Sequence, residues 1–470
     1  MNVIEELGPT EPDSSSQARC KERWEYPRLS GVREDPSRPK DRSSPQLEPS
    51  PIYQAEEPDS VWFRSRPRTN SVTRNLRTLY PAHPTARPDK IECEMQKKLR
   101  VGILFGGRSG EHEVSLLSAA SILKAIDRDN FEVVPIGIDK AGNWLTDEAA
   151  LRLLEGSVST EPSQQPPAPA LDAPSSLQTH ATLAGLSRLG GQSLNVIFPA
   201  LHGTFGEDGT IQGLFEMAGI AYVGSGVLGS AVGMDKDAMK RLFAQAKLPI
   251  VKHLTLLRAE WEARPQEAVA QVEAALEYPV FVKPANLGSS VGISKAHDRH
   301  ELGPALTLAA KYDRKIVVEQ GVGGKKAKAR EFEVAVLGND DPAASVVGEI
   351  VPGKEFYDYE AKYLSEGSVP IIPAHLSPAE AERIRQISLA AFRACDLSGL
   401  ARVDFLMEPH GKRRIFLNEV NTMPGFTKIS MYPKLWEASG LVYKNLISRL
   451  IEFALERHRE KSRTTYSREE

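Results

Sequence analysis

Cysteine is nearly absent from this chain: Cys20, Cys93 and Cys395 occur in no CxxC or other metal-ligand spacing. This excludes a disulfide framework and a cysteine-built zinc centre, and it fits a reducing compartment. No apolar run reaches the length of a membrane span, and the N-terminus lacks the basic start and apolar core of a secretory signal. Neither sign of charge dominates, with 59 Lys and Arg against 62 Asp and Glu in 470 residues, a net of −3. No basic patch interleaved with aromatics stands out, so nucleic acid is not expected as a partner. No internal repeat is present.

What is there falls into unequal parts. Residues 1–94 are rich in Pro, Ser, Arg and Glu without a sustained hydrophobic period, and are expected to be a disordered extension. Their many acids argue against an organelle transit peptide. An apolar strand, Leu99–Phe105, begins just after Met95, which is expected to be the true start; the alternative is a genuine regulatory arm. From there to 222, strands at Leu99–Phe105, Phe131–Ile138 and Leu194–Pro199 alternate with helices, the pattern of a parallel sheet with ligands at its C-terminal strand ends. Residues 152–190 read as a loop. A second unit, 223–315, holds a helix near Asp235–Lys247 and two strands around a glycine-rich turn. A third, 316–458, is mostly strands with terminal helices, and 459–470 is a polar tail.

The densest chemistry lies in a hairpin near the C-terminus. Leu400–Met407 and Arg414–Gly425 are apolar arms interrupted by Asp404, Glu419 and Asn421. Glu419 and Asn421 are two apart and share a face of a strand, and pairing of the arms adds Asp404. Hard oxygen donors among apolar neighbours suit Mg²⁺ completed by phosphate oxygens; a solvated hairpin face is the competing reading. The turn Lys283-Pro284-Ala285-Asn286-Leu287-Gly288-Ser289-Ser290-Val291-Gly292 lies between two strands, which excludes the P-loop and the dinucleotide fingerprint. Its glycines, Ser289, Ser290 and Lys283 can approach an anion, though a flexible hairpin reads the same way. In Gly106-Gly107-Arg108-Ser109-Gly110-Glu111-His112-Glu113, the acids Glu111 and Glu113 would repel a pyrophosphate. They suit an amino acid's ammonium, or simply a helix start. His202 stands alone at a strand end. Phe356–Tyr363 is an aromatic, polar run that fits either a lid carrying Lys362 and Tyr363 or a surface loop. The lysine-rich stretch Gly324–Lys328 reads as a solvated loop.

Together these segments resemble the D-alanine–D-alanine ligase family of the ATP-grasp superfamily, from about Leu99 to Arg457. The resemblance is carried in order by Glu113-Val114-Ser115, His202-Gly203 with Glu207-Asp208-Gly209, Met234-Asp235-Lys236, Lys283-Pro284 with Gly288-Ser289-Ser290, Ala361-Lys362-Tyr363, Arg402-Val403-Asp404, and Asn418-Glu419-Val420-Asn421-Thr422 with Pro424-Gly425. It implies an α/β fold, in which a Rossmann-like parallel-sheet domain precedes a two-lobed α+β ATP-grasp module gripping ATP. It implies two Mg²⁺ ions, replaceable by Mn²⁺, on Asp404, Glu419 and Asn421, with Glu419 bridging. Lys236, Lys283 and Lys362 face phosphate, with Ser290 in the same loop, and Glu319 and Glu331 contact the nucleoside. Glu113 is expected to hold the first D-alanine's ammonium and to form a triad with Ser289 and Tyr363. His202 lies near that substrate, Ser430 binds the second substrate's carboxylate, and Arg402 and the Gly425 amide bind the oxyanion. The resemblance further implies a cytoplasmic homodimer. The lysine-rich insertion before Arg330 is longer than the family pattern.

The implied reaction joins two D-alanines at the expense of ATP, through an acyl phosphate, for peptidoglycan precursors. D-lactate or D-serine as second substrate, or a silent ATP-binding regulator, are the rivals; Tyr363 and the complete acidic and lysine set speak against them. If Met95 is the start, mass spectrometry of the native protein finds an N-terminus at or just after Met95, and an intact Met1 species contradicts it.

Overall fold

A computed structural model describes residues 98–158, 193–323, 328–351 and 369–468. The N-terminal extension, most of the 152–190 loop, the lysine-rich insertion at 324–327 and the run carrying Lys362 and Tyr363 lie outside the described residues. Strand β1 (Leu99–Gly106) is buried along almost its whole length, as a strand covered on both faces of a parallel sheet must be. It is followed by α1 (His112–Ala125), β2 (Phe131–Ile138), β3 (Trp144–Thr146), α2 (Asp147–Val158), β4 (Val196–Pro199), α3 (Thr210–Ala218) and β5 (Ala221–Tyr222). These strands form a sheet of order β3-β2-β1-β4-β5. Within it β2, β1, β4 and β5 are parallel and β3 is an antiparallel edge. Helix α2 takes up residues 152–158, where a loop was expected.

Helices α4 (Val227–Met234) and α5 (Lys236–Gln245) come next. Asp235 starts α5 by accepting hydrogen bonds from the Asp237 and Ala238 amides at 3.1 and 3.0 Å, as an N-cap aspartate does. Then follow β6 (His253–Leu257), α6 (Arg258–Ala263), α7 (Pro265–Ala275), β7 (Val280–Pro284), β8 (Ser294–Ala296), α8 (Arg299–Tyr312) and β9 (Lys315–Gln320). Strands β6-β9-β7-β8 make an antiparallel sheet, and β7 and β8 flank the glycine-rich turn as expected.

The remaining elements are β10 (Arg330–Gly338), β11 (Ala343–Val351), β12 (Val369–Ile371), α9 (Pro378–Ala394), β13 (Gly399–Met407), β14 (Ile415–Asn421), α10 (Met431–Ala438) and α11 (Tyr443–Lys461). Their sheet has the order β12-β11-β10-β13-β14 and is antiparallel throughout.

Packing corrects the expected boundaries. β9 hydrogen-bonds to β6 and β7, so the central lobe extends through Gln320 rather than ending at 315. Met239 and Phe243 of α5 are buried with Phe332, Val403 and Leu417, so this helix belongs to the core of the β10–β14 sheet. The chain's last helix also returns to its start. Leu446, Ile447 and Leu450 of α11 share a core with Val101, Ile103 and Phe198 of the parallel sheet, and α11 continues past 458 to Lys461.

Arg457 on α11 ties these parts together. Its guanidinium donates to the carbonyls of Gly224 and, at 3.1 Å, Tyr222, and lies 4.3 Å from the Tyr222 ring centre. Arg457→Ala strands two carbonyls and removes the cation–π contact, for a loss of about 2–3 kcal/mol. Urea denaturation checks this; an unchanged midpoint contradicts it.

Candidate active site

The hairpin expected from the sequence forms. β13 and β14 pair antiparallel with Asp404 opposite Glu419 and Arg402 opposite Asn421. On the other side of β13, Asp404 lies opposite Glu333 and Arg402 opposite Ala335 of β10. Opposed residues share a face, so Glu333, Asp404 and Glu419 form a carboxylate row across three strands, with Arg402 and Asn421 one step along. A register shift leaves Asn418 as an extra residue between Leu417 and Glu419. Such a bulge re-aims side chains, and the Asn418 amide oxygen comes 3.5 Å from Lys283 Nζ.

Arg402 grips Asp404 through two bonds, Nε to Oδ1 at 2.7 Å and Nη2 to Oδ2 at 2.6 Å. Its Nε is also 3.2 Å from a Glu333 carboxylate oxygen. Asn421 Nδ2 donates to Asp404 Oδ2 at 3.0 Å. Among the described residues no three His, Cys, Asp or Glu side chains gather at metal-binding distance. The donor set still fits Mg²⁺, which needs one or two carboxylates and takes its other ligands from phosphate and water.

Lysines from the glycine-rich lobe and from α5 face this row. Lys236 Nζ donates to the Leu287 carbonyl at 2.9 Å and lies 3.6 Å from Glu419. Lys283 Nζ is 2.7 Å from Glu319 Oε2, and Lys240 Nζ is 2.9 Å from Glu319 Oε1. Lys240 also donates to the Asn418 carbonyl at 3.2 Å. Burial opposes the Lys283 charge, but Glu319, Glu419 and Glu331 outweigh it and raise its pKa. Burial lowers that of Lys240. Glu319 is buried too, yet the two ammonium groups hold its carboxyl well below the usual range. Glu319, expected at the nucleoside, is thus also the counter-ion of two lysines. Glu331 lies two residues before Glu333 on β10, half-buried at the start of the strand.

The region expected to hold the first substrate's ammonium is built differently from the expectation. Glu113 points outward, its side chain 56% exposed and paired with the exposed Lys140, because it sits in the first turn of α1 on the solvent side. Glu111, the N-cap residue, is 7% exposed. Its carboxylate accepts a hydrogen bond from the Ser289 hydroxyl. A Cβ at Gly288 would stand 2.8 Å from Glu111 Oε2, and one at Gly203 would clash with the same oxygen. Two glycines thus make the room for Glu111, which replaces Glu113 as the carboxylate that meets the glycine-rich turn. Ser289 and Ser290 both have positive φ, 49° and 60°, so the turn is held in an unusual left-handed bend.

His202 is buried, 3% exposed, and both its ring nitrogens are engaged. Nδ1 is 3.0 Å from the Met423 carbonyl, which can only accept, so Nδ1 carries hydrogen. Nε2 is 2.9 Å from the Ser118 hydroxyl, and Ser118 Oγ accepts from the Phe426 amide at 3.2 Å. Burial lowers the His202 pKa, but Glu207 and Glu111 more than offset it, and the net direction is up. This network latches the loop that follows β14 on both sides of Gly425. Ser430 is there as well: its hydroxyl accepts from the Thr427 amide at 3.0 Å, and a Cβ at Gly425 would stand 2.7 Å from it. Ser118 and Lys240 were missed in the sequence. A small serine on the apolar face of α1 and a lysine four residues after Lys236 carry no signal until their partners are seen.

A carboxylate row faced by lysines from a second, glycine-looped antiparallel sheet defines the ATP-grasp class. Two family models match, described as the D-ala D-ala ligase N-terminus over residues 100–225 and C-terminus over residues 242–452. The chain is 49% identical to a D-alanine–D-alanine ligase of Natranaerobius thermophilus over 370 residues, 78% of this chain and 98% of the relative. It is 48% identical to one of Bacillus cytotoxicus over 371 residues, 79% and 99%. Among solved structures, the D-alanine-D-alanine ligase from Coxiella burnetii matches with a TM-score of 0.63 and 34% identity, covering 78% of this chain and 96% of that one. A D-Ala:D-Ser ligase from Enterococcus faecalis matches with a TM-score of 0.63 and 33% identity, covering 76% and 100%. The chain belongs to the D-alanine–D-alanine ligase family.

Glu113→Gln, which loses only an exposed pair worth about 0–1 kcal/mol, is expected to leave steady-state kinetics near wild type. Glu111→Gln is expected to raise the KM for the first D-alanine with nucleotide affinity retained. The reverse pattern restores Glu113 to the site.

Proposed function

We propose that this chain joins two molecules of D-alanine into D-alanyl-D-alanine with cleavage of ATP, supplying peptidoglycan precursor synthesis. The observation that carries this reading is 49% identity across 98% of a D-alanine–D-alanine ligase. The site's chemistry agrees. A carboxylate does not yield to an amine at neutral pH, because oxide is too poor a leaving group; transfer of the γ-phosphoryl group makes an acyl phosphate with a good one. Lys236 and Lys283, which face the carboxylate row, neutralise the transferred phosphoryl group in this reading. Mg²⁺, held by Asp404, Glu419 and Asn421, would draw charge from the phosphate oxygens.

Glu111, backed by Ser289, holds the first substrate's ammonium and so presents its carboxylate to phosphate. Ser430 takes the second substrate's carboxylate. As its free amine attacks, negative charge develops on the carbonyl oxygen, and Arg402 with the Gly425 amide stabilises it. His202 and Ser118 keep Gly425 in place. An acyl phosphate hydrolyses readily, so water has to be kept from it; Lys362 and Tyr363 lie outside the described residues. A cytoplasmic setting and a homodimer belong to the same reading; no helix among the described residues is long and apolar enough to cross a membrane.

A second substrate other than D-alanine, either D-lactate or D-serine, is the second reading, and the 33% likeness to a D-Ala:D-Ser ligase favours its D-serine form. Phosphate release that depends on D-alanine, with D-alanyl-D-alanine identified by mass, is the expected result. A mixed product in competition with D-lactate or D-serine favours the second reading, and no D-alanine-dependent release contradicts both. Glu419→Gln is expected to lower turnover by about 10²-fold or more, as loss of a directly charge-stabilising group does; near-normal turnover at saturating Mg²⁺ contradicts the metal assignment.

A further inference from the structure

The carboxylate row has a third member to which the proposed reaction assigns no role. Glu333 is buried, its side chain 9% exposed, and lies opposite Asp404 on the flank away from Glu419. Its carboxylate oxygen is 3.2 Å from Arg402 Nε. Arg402 meanwhile uses both oxygens of Asp404, which also serves Asn421. Those bonds engage three of the roughly four lone-pair sites of Asp404, and a divalent cation held by Asp404 and Glu419 would crowd the remaining one and repel a guanidinium beside it. By releasing one of its two bonds to Asp404, Arg402 would ease both the crowding and the repulsion. Moving toward Glu333 takes it away from the Glu419 side of the row, yet keeps it on the same sheet face.

We propose that Glu333 is a positioning residue that draws Arg402 off Asp404, so that one carboxylate row both admits the metal and presents a fixed guanidinium to the reacting carbonyl. The proposal rests on the reading of Asp404 and Glu419 as metal ligands. Glu333 touches neither metal nor substrate in it. Its effect passes through Arg402, as outer-shell partners act on a metal site.

The test is Mn²⁺ binding, followed by electron paramagnetic resonance, to the full chain with a non-hydrolysable ATP analogue. Glu333→Gln is expected to weaken Mn²⁺ binding by about tenfold, the usual scale for an outer-shell partner, because Arg402 stays on Asp404. Glu333→Asp, which keeps the charge, binds Mn²⁺ more tightly than Glu333→Gln and serves if the glutamine variant does not fold. In an Arg402→Gln background, Glu333→Gln is expected to change nothing beyond about twofold, the limit of ordinary additivity. Unchanged binding in the single variant overturns the proposal. So does equal weakening in both backgrounds, which would make Glu333 a ligand or a general support. Asp404→Asn separates the underlying reading: if it binds Mn²⁺ like wild type, the metal assignment falls and the proposal with it, whereas a loss there beside an unaffected Glu333→Gln sinks this proposal alone.

Discussion

The structure turns on charge compensation across the seam between two antiparallel sheets. One sheet brings Glu333, Asp404 and Glu419 into register on a single face. Lys283 of the other sheet, and Lys236 and Lys240 of the intervening helix α5, bring buried ammonium groups towards it. Neither set is tolerable alone in an apolar setting, since an unpaired buried charge is far costlier than a paired one. Glu319 between Lys240 and Lys283 completes the balance. The resulting seam is rich in both signs.

A second junction joins the parallel sheet to this cleft. Glu111 leaves the first strand's loop, passes between two glycines and meets Ser289 of the glycine-rich turn. The buried pair Ser118 and His202 reaches from the same region to the loop around Gly425. The glycine-rich turn and the loop around Gly425 are thus both tied to the parallel sheet through short polar contacts, and the groups proposed for the two half-reactions are held by one continuous scaffold.

Much of this was legible in the sequence because period and chemistry coincided there. Apolar runs broken by Asp404, Glu419 and Asn421 read as strands sharing a polar face, functional or solvated, and β1, β2 and the helix after Asp235 were visible for similar reasons. What escaped depended on a single local turn or on distant partners. Glu111 and Glu113 are two apart at a helix start and so face opposite sides; which one turns inward is decided by how α1 packs, and that one is Glu111 at the N-cap. The bulge at Asn418 has no glycine or proline to announce it. β9 looked like the first strand of the last lobe because strand order within a sheet is set by long-range pairing. Ser118, Lys240 and Glu333 carry no motif; their roles exist only in what they touch.

The most direct measurement is a crystal structure of the full chain with a non-hydrolysable ATP analogue and Mn²⁺, using anomalous scattering to locate the metal. The account predicts manganese between Asp404, Glu419 and Asn421, triphosphate against Lys236 and Lys283, and Arg402 turned from Asp404 toward Glu333. Manganese bound without Asp404 and Glu419, or triphosphate away from those lysines, would contradict it.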